Sequence, residues 1–71
     1  MTITADMAGI VCETRVQPGD RVEAGQELLI IESMKMQIPV AAPAGGVVRH
    51  VHVKEGDFVN AGDVLVDLQE D

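Results

Sequence analysis

The stretch Glu32-Ser33-Met34-Lys35-Met36 puts one primary amine between two methionines, where two apolar runs must fold back on each other. Before it lies Leu28-Leu29-Ile30-Ile31, and after it Ile38, Val40, Ala41 and Ala42, both β-type runs bounded by turn formers. A two-residue hairpin of type I′ needs φ > 0 at both central positions and so favours Asn-Gly or Asp-Gly. Met34-Lys35 is poor chemistry for that turn, and a local rule broken at one exposed spot points to a site that accepts strain for function. An exposed turn lysine ordinarily does no more than aid solubility. Three features set Lys35 apart: the unsuitable turn, the flanking Met34 and Met36 at an exposed tip, and a position midway between two internal repeats. Two methionines cannot easily both be buried at a two-residue turn, so at least one is expected to face solvent as a soft apolar contact. Glu32 is read as solvating the strand end rather than as a base.

Other chemistry-bearing side chains form no comparable pattern. His50 and His52 stand two apart on a strand and share a face, but no third ligand stands close by in a matching pattern, so no metal site is expected. Cys12 falls on Arg49 in the repeat and is expected to be partly exposed, with nothing nearby to activate a thiolate. No Ser/His/Asp set, glycine-rich phosphate loop or paired carboxylate motif is present, and no catalytic activity is expected of the domain itself.

With 71 residues the chain has room for one domain, residues 1–71, and one small core. Valine and isoleucine dominate the apolar set, Phe58 is the single aromatic, and seven glycines and three prolines punctuate the chain. That composition favours an all-β sandwich or barrel. A net charge of −7 without clustered Lys or Arg argues against a nucleic-acid partner. One cysteine permits no internal disulfide, so nothing argues for an oxidising compartment and a cytoplasmic protein is the expectation. No stretch approaches the roughly 20 apolar residues of a membrane span, and Met1–Asp6 carries no positive n-region or apolar core, so a soluble protein is the expectation.

The elements that must position Lys35 follow from the repeat. Moving Gly9–Glu32 forward by 37 positions lays it on Gly46–Gln69 without a gap, matching Val11 with Val48, Gly19-Asp20 with Gly56-Asp57, Val22 with Val59 and Leu28 with Leu65. Two copies are too few for a solenoid, so a pseudo-twofold sandwich fits better. Each half reads as strand, turn, short strand, turn, strand: Ile10–Val16, Arg21-Val22 and Leu28–Glu32, then Val47–Val53, Phe58-Val59 and Val64–Gln69. Thr2–Asp6 and Met36–Ala41 complete eight strands. Alternation slips between Val11 and Thr14 and between Val48 and Val51, which predicts a bulge or sharp twist at both places. Pro39 cannot donate to a ladder, so its strand lies at an edge or turns that nitrogen outward. The expected architecture is a flattened barrel-sandwich of two four-stranded antiparallel sheets, one carrying both chain ends and the other the lysine hairpin.

At Glu32–Met36 the sequence resembles the biotinyl domains of biotin-dependent carboxylases, whose attachment signature is Ala-Met-Lys-Met, usually preceded by Glu. Ser33 replaces the alanine, and the resemblance runs from about Thr4 to Leu68. It is closest to the small single-domain biotin carboxyl carrier, or biotin/lipoyl attachment, proteins. The resemblance implies that biotin protein ligase joins biotin to Lys35, with Met34 and Met36 as flanking recognition residues. The biotin would then shuttle carboxyl groups between biotin carboxylase and carboxyltransferase. It also implies a thumbless domain, expected to be monomeric. Ala5-Asp6-Met7-Ala8-Gly9 stands where many members have Ala-Pro-Met-Pro-Gly, which loosens the entry to the second strand. A lipoyl carrier domain is the alternative, with lipoate on the same lysine, although such domains usually have an acidic residue before it. An unmodified barrel-sandwich adaptor of the kind found in efflux membrane-fusion proteins is a third reading, but those generally lack a lysine between methionines.

Overall fold

Four tight turns, each closed by a side chain three residues on, cut the chain into strands. The Gln17, Lys54 and Asn60 amides donate to the carboxylates of Asp20, Asp57 and Asp63, and the Glu23 amide donates to Gln26 Oε1. Gly19 and Gly56 take the third position of their turns at φ 97° and 95°, a left-handed conformation that residues with a side chain rarely adopt.

The computed structural model describes residues 1–71. Its strands are β1 (Thr2–Thr4), β2 (Gly9–Thr14), β3 (Arg21–Val22), β4 (Glu27–Ser33), β5 (Met36–Ala41), β6 (Gly46–Val51), β7 (Phe58–Val59) and β8 (Val64–Glu70). They form two antiparallel four-stranded sheets in the orders β1-β8-β6-β3 and β5-β4-β2-β7. As expected, the first sheet holds both chain ends and the second the lysine hairpin. Pro39 lies on β5, an edge strand, where its missing N–H leaves no ladder bond unmade. No helix is long and apolar enough to cross a membrane.

The core follows the repeat residue by residue. Its 14 buried side chains are all apolar. Twelve of them are pairs 37 positions apart: Ala5/Ala42, Val11/Val48, Val22/Val59, Leu28/Leu65, Leu29/Val66 and Ile31/Leu68. The other two, Ile3 and Val16, have mates in Val40 and Val53, which pack half-buried against the same cluster. Burying each large aliphatic side chain contributes about 1.5–3 kcal/mol, the main driving force available to a domain of this size.

Register shifts between Val11 and Glu13 on β2 and between Val48 and His50 on β6 mark the two predicted bulges. A second related pair of irregularities goes beyond the sequence reading. The register also shifts between Glu27 and Leu29 on β4, and where Ile3 and Thr4 meet Val66 and Val64 on β8. Leu28-Leu29 and Leu65-Val66 can therefore both be buried as adjacent residues, which strict alternation forbids.

Several strand ends differ from expectation. β1 stops at Thr4 rather than Asp6, because Ala5 exchanges hydrogen bonds with Asp63 and Gly62 of a turn instead of continuing the ladder. β2 and β6 close at Thr14 and Val51, not Val16 and Val53, as the chain rises toward the next turn. β5 runs away from the hairpin to the end where Gly46 pairs with Glu70 and the Met1 ammonium donates to the Leu68 carbonyl at 2.7 Å. Both termini thus lie at the end opposite Lys35 of a molecule 34 Å long and 18 Å across.

Candidate functional site

The hairpin stem is held by cross-strand pairs from Glu27↔Ala41 to Glu32↔Gln37 and closes with Ser33↔Met36, leaving Met34 and Lys35 as a two-residue loop. Their φ angles are 54° and 65°, the left-handed pair that a type I′ turn requires. They are the only non-glycine residues of the chain with positive φ, so the strain inferred from the sequence is present. Each such residue costs about 1–2 kcal/mol.

That strain persists because the stem is anchored below it. Leu28, Leu29 and Ile31 of β4 are almost wholly buried, so the strand cannot shift to relax its tip. Gly9 lets β2 approach β4 closely: a Cβ there would stand 2.5 Å from the Glu32 carbonyl oxygen and 2.6 Å from an Ile31 methyl. Gly46, its repeat mate, makes the same kind of approach to the Gln69 carbonyl.

Lys35 is exposed, and its amine makes no hydrogen bond or ion pair. Met34 and Met36 are 91% and 63% exposed, so both face solvent where the sequence required only one to do so. Neither belongs to the core. An amine on a four-carbon stem, flanked by flexible apolar side chains on a braced turn, can present an acyl group well clear of the protein surface. Lys54, the other lysine, lies in the turn before β7, where its amide bonds Asp57.

Glu32 is exposed at the strand end, and its Oε1 lies 3.5 Å from the sulfur of half-buried Cys12. Partial burial and the Glu32 carboxylate both push the Cys12 thiol up, which opposes thiolate formation. The two histidines do share a face, with ring centroids 4.3 Å apart. No aspartate stands close to them along the chain in a ligand pattern, but β8 supplies one: His52 Nε2 donates to Asp67 Oδ2 at 2.8 Å. That hydrogen bond holds the Asp67 carboxyl below the usual carboxylate range. No cluster of three or more His, Cys, Asp or Glu side chains able to hold a metal ion is present. The aspartate was missed because its distance along the chain hides a cross-strand neighbour; the phase slip at Val48–Val51 was the one available signal.

Comparison with known proteins bears on this hairpin. The biotin/lipoyl family model, described as "Biotin-requiring enzyme", matches residues 1–68. The chain belongs to the biotin/lipoyl family. Within that family, it is 53% identical over 68 residues to the biotin/lipoyl attachment protein of Bacillus subtilis, covering 96% of this chain and 93% of the relative. It is 43% identical over 68 residues to pyruvate carboxylase of Staphylococcus aureus, of which it spans 6%. Its fold superposes on urea carboxylase of Kluyveromyces lactis with a TM-score of 0.91 at 33% identity, over 97% of this chain and 6% of that one. This biotin/lipoyl chain therefore matches one small relative along nearly its full length and two large carboxylases along a short segment of each.

Proposed function

We propose that the protein is a biotin carboxyl carrier whose biotin is held on the ε-amine of Lys35. The observation that carries this reading is the unpaired, exposed lysine on a strained two-residue turn, braced by a buried strand and flanked by two exposed methionines. A biotin protein ligase would load it. For that step the amine gives up a proton, attacks the activated carboxyl of biotin and expels the activating group as the amide forms. The group supplies carboxyl carriage between a biotin carboxylase and a carboxyltransferase. The chain itself contributes the rigid mount and the flexible lysine arm. It does no bond-making at these partners, and it acts as a monomeric cytoplasmic domain. Display at the end opposite the termini keeps the arm clear of whatever the ends adjoin, and tethering maintains a high effective concentration at each partner.

The methionines on both sides of Lys35 and the carboxylase relatives favour biotin. Lipoate is the second reading, supported by the name of the Bacillus relative, a biotin/lipoyl attachment protein. Co-expression with biotin ligase or with lipoate ligase, followed by intact-mass measurement, separates the two through the mass of the added group. Lys35→Arg should abolish labelling on a streptavidin blot, while Lys54→Arg should leave it intact. Undiminished labelling of the Lys35→Arg protein would refute the assignment.

A further inference from the structure

The pseudo-twofold axis lets each surface position be compared with its mate on the other sheet, and one comparison is unequal. At the hairpin end, cross-strand pairing aligns Gln37, Glu32, Ile10 and Phe58 in one row across β5, β4, β2 and β7. Residues directly opposite one another share a face, and all four are exposed, so the row lies on the outer surface. Ile10 is 50% and Phe58 63% exposed. In the related row at the other end, Gln69, Val47 and Arg21 occupy the places of Glu32, Ile10 and Phe58. There Val47 is half-buried, and Arg21 reaches Asp71 at 2.5 Å.

The fold is therefore content with valine and arginine at these positions. Exposing the chain's single aromatic beside isoleucine satisfies nothing within the domain. The two ends differ in a second respect, since only one carries the lysine turn. The apolar pair lies two and three strands in from the edge strand β5, so its Cα atoms stand about 10–15 Å from Lys35 by strand spacing and rise. Glu32, between the pair and the lysine, makes no ion pair.

We infer that Ile10 and Phe58 form a docking surface for the enzyme that acylates Lys35, which meets them with an apolar recess bordered by basic side chains. The inference rests on the Lys35 reading. Arm length selects this partner. An unmodified lysine amine stands only about 6 Å from its Cα, so the acylating enzyme must bring its reacting carboxyl to within about 3–3.5 Å of it. Its walls must then cover the surface around the tip. An enzyme served by the loaded, longer arm has no such need. The absence of a cation beside Glu32 and the net charge of −7 favour a basic border on the approaching protein.

The test is the kinetics of biotinylation of the apo-domain by biotin ligase, using Phe58→Arg and Phe58→Ala. The first installs the residue already tolerated at the mate position, so the fold should survive, as circular dichroism would verify. Val64→Arg, an exposed apolar position on the other sheet, is the control. KM should rise about tenfold or more for Phe58→Arg and less for Phe58→Ala, with kcat within twofold of wild type and the control unchanged. Wild-type KM in both Phe58 variants, or an equal loss in the control, overturns the inference while leaving Lys35 as the attachment point. So does a Phe58-dependent dimer of the free chain. Normal biotinylation with impaired carboxyl transfer would assign the patch to a carboxylase and overturn it too. If the wild-type chain is not labelled at Lys35, the reading beneath it fails and the inference with it.

Discussion

Replacing Met34 with glycine should make the protein more stable and a poorer carrier. Met34 sits at φ 54° with 91% of its surface in water, so truncation removes backbone strain and almost no packing. Relief of a left-handed non-glycine residue is worth about 1–2 kcal/mol. Glycine's extra freedom in the unfolded chain returns about 0.5–1 kcal/mol of this. The net gain is about 0.5–1 kcal/mol, and in a domain of this length each kcal/mol moves Tm by about 4–8 °C. Thermal unfolding followed by circular dichroism should therefore show Tm higher by about 2–8 °C. Met36→Gly supplies the opposite sign: Met36 is a strand residue paired with Ser33, and glycine inside a strand costs about 0.5–1 kcal/mol. The same chemical change two positions apart should raise Tm in one case and lower it in the other. Initial biotinylation rate should fall for Met34→Gly despite the higher Tm, because the braced tip loses both an apolar neighbour and its rigidity. A Tm that fell for both variants would show that Met34 packs rather than strains, and the argument from the turn would be wrong.

Gly9→Ala should destabilise the fold by about 1–3 kcal/mol, since its methyl would press on the Glu32 carbonyl at 2.5 Å, and urea denaturation measures this directly. Gly46→Ala should destabilise it comparably, but only Gly9→Ala should also slow biotinylation, because Glu32 leads into the lysine turn. Asp67, held below the usual carboxylate range by His52, contributes stability above its unfolded pKa of about 3.9, and that contribution is lost as pH falls through the lower folded value. His52→Gln should move the Asp67 carboxyl titration upward in a carbon-13 NMR experiment and narrow the acid-stability difference. An unmoved titration would show that the contact is not maintained in solution.

The sequence by itself determined where the chain turns, how its halves correspond and which lysine stands alone. Gly19 and Gly56 with their aspartates, the 37-residue shift and the run Glu32–Met36 are local signals, legible because each constrains backbone conformation within a few residues. The split into one sheet with both ends and one with the hairpin followed from that symmetry, as did the edge position of Pro39. Met34 and Met36 were half legible: the turn demanded one exposed methionine, and the anchored stem leaves both outside. Other features became visible only when strands were laid side by side. Leu28-Leu29 and Leu65-Val66 are buried together because register shifts break alternation opposite β5 and β1. Asp67, paired with His50, reaches His52 diagonally, and Phe58 lies beside Ile10, contacts that join residues 15 and 48 positions apart. A strand's own period tells which face a residue occupies, but not which residue of another strand stands opposite. Register decides that, and here it depends on how two sheets with related bulges close over one apolar core.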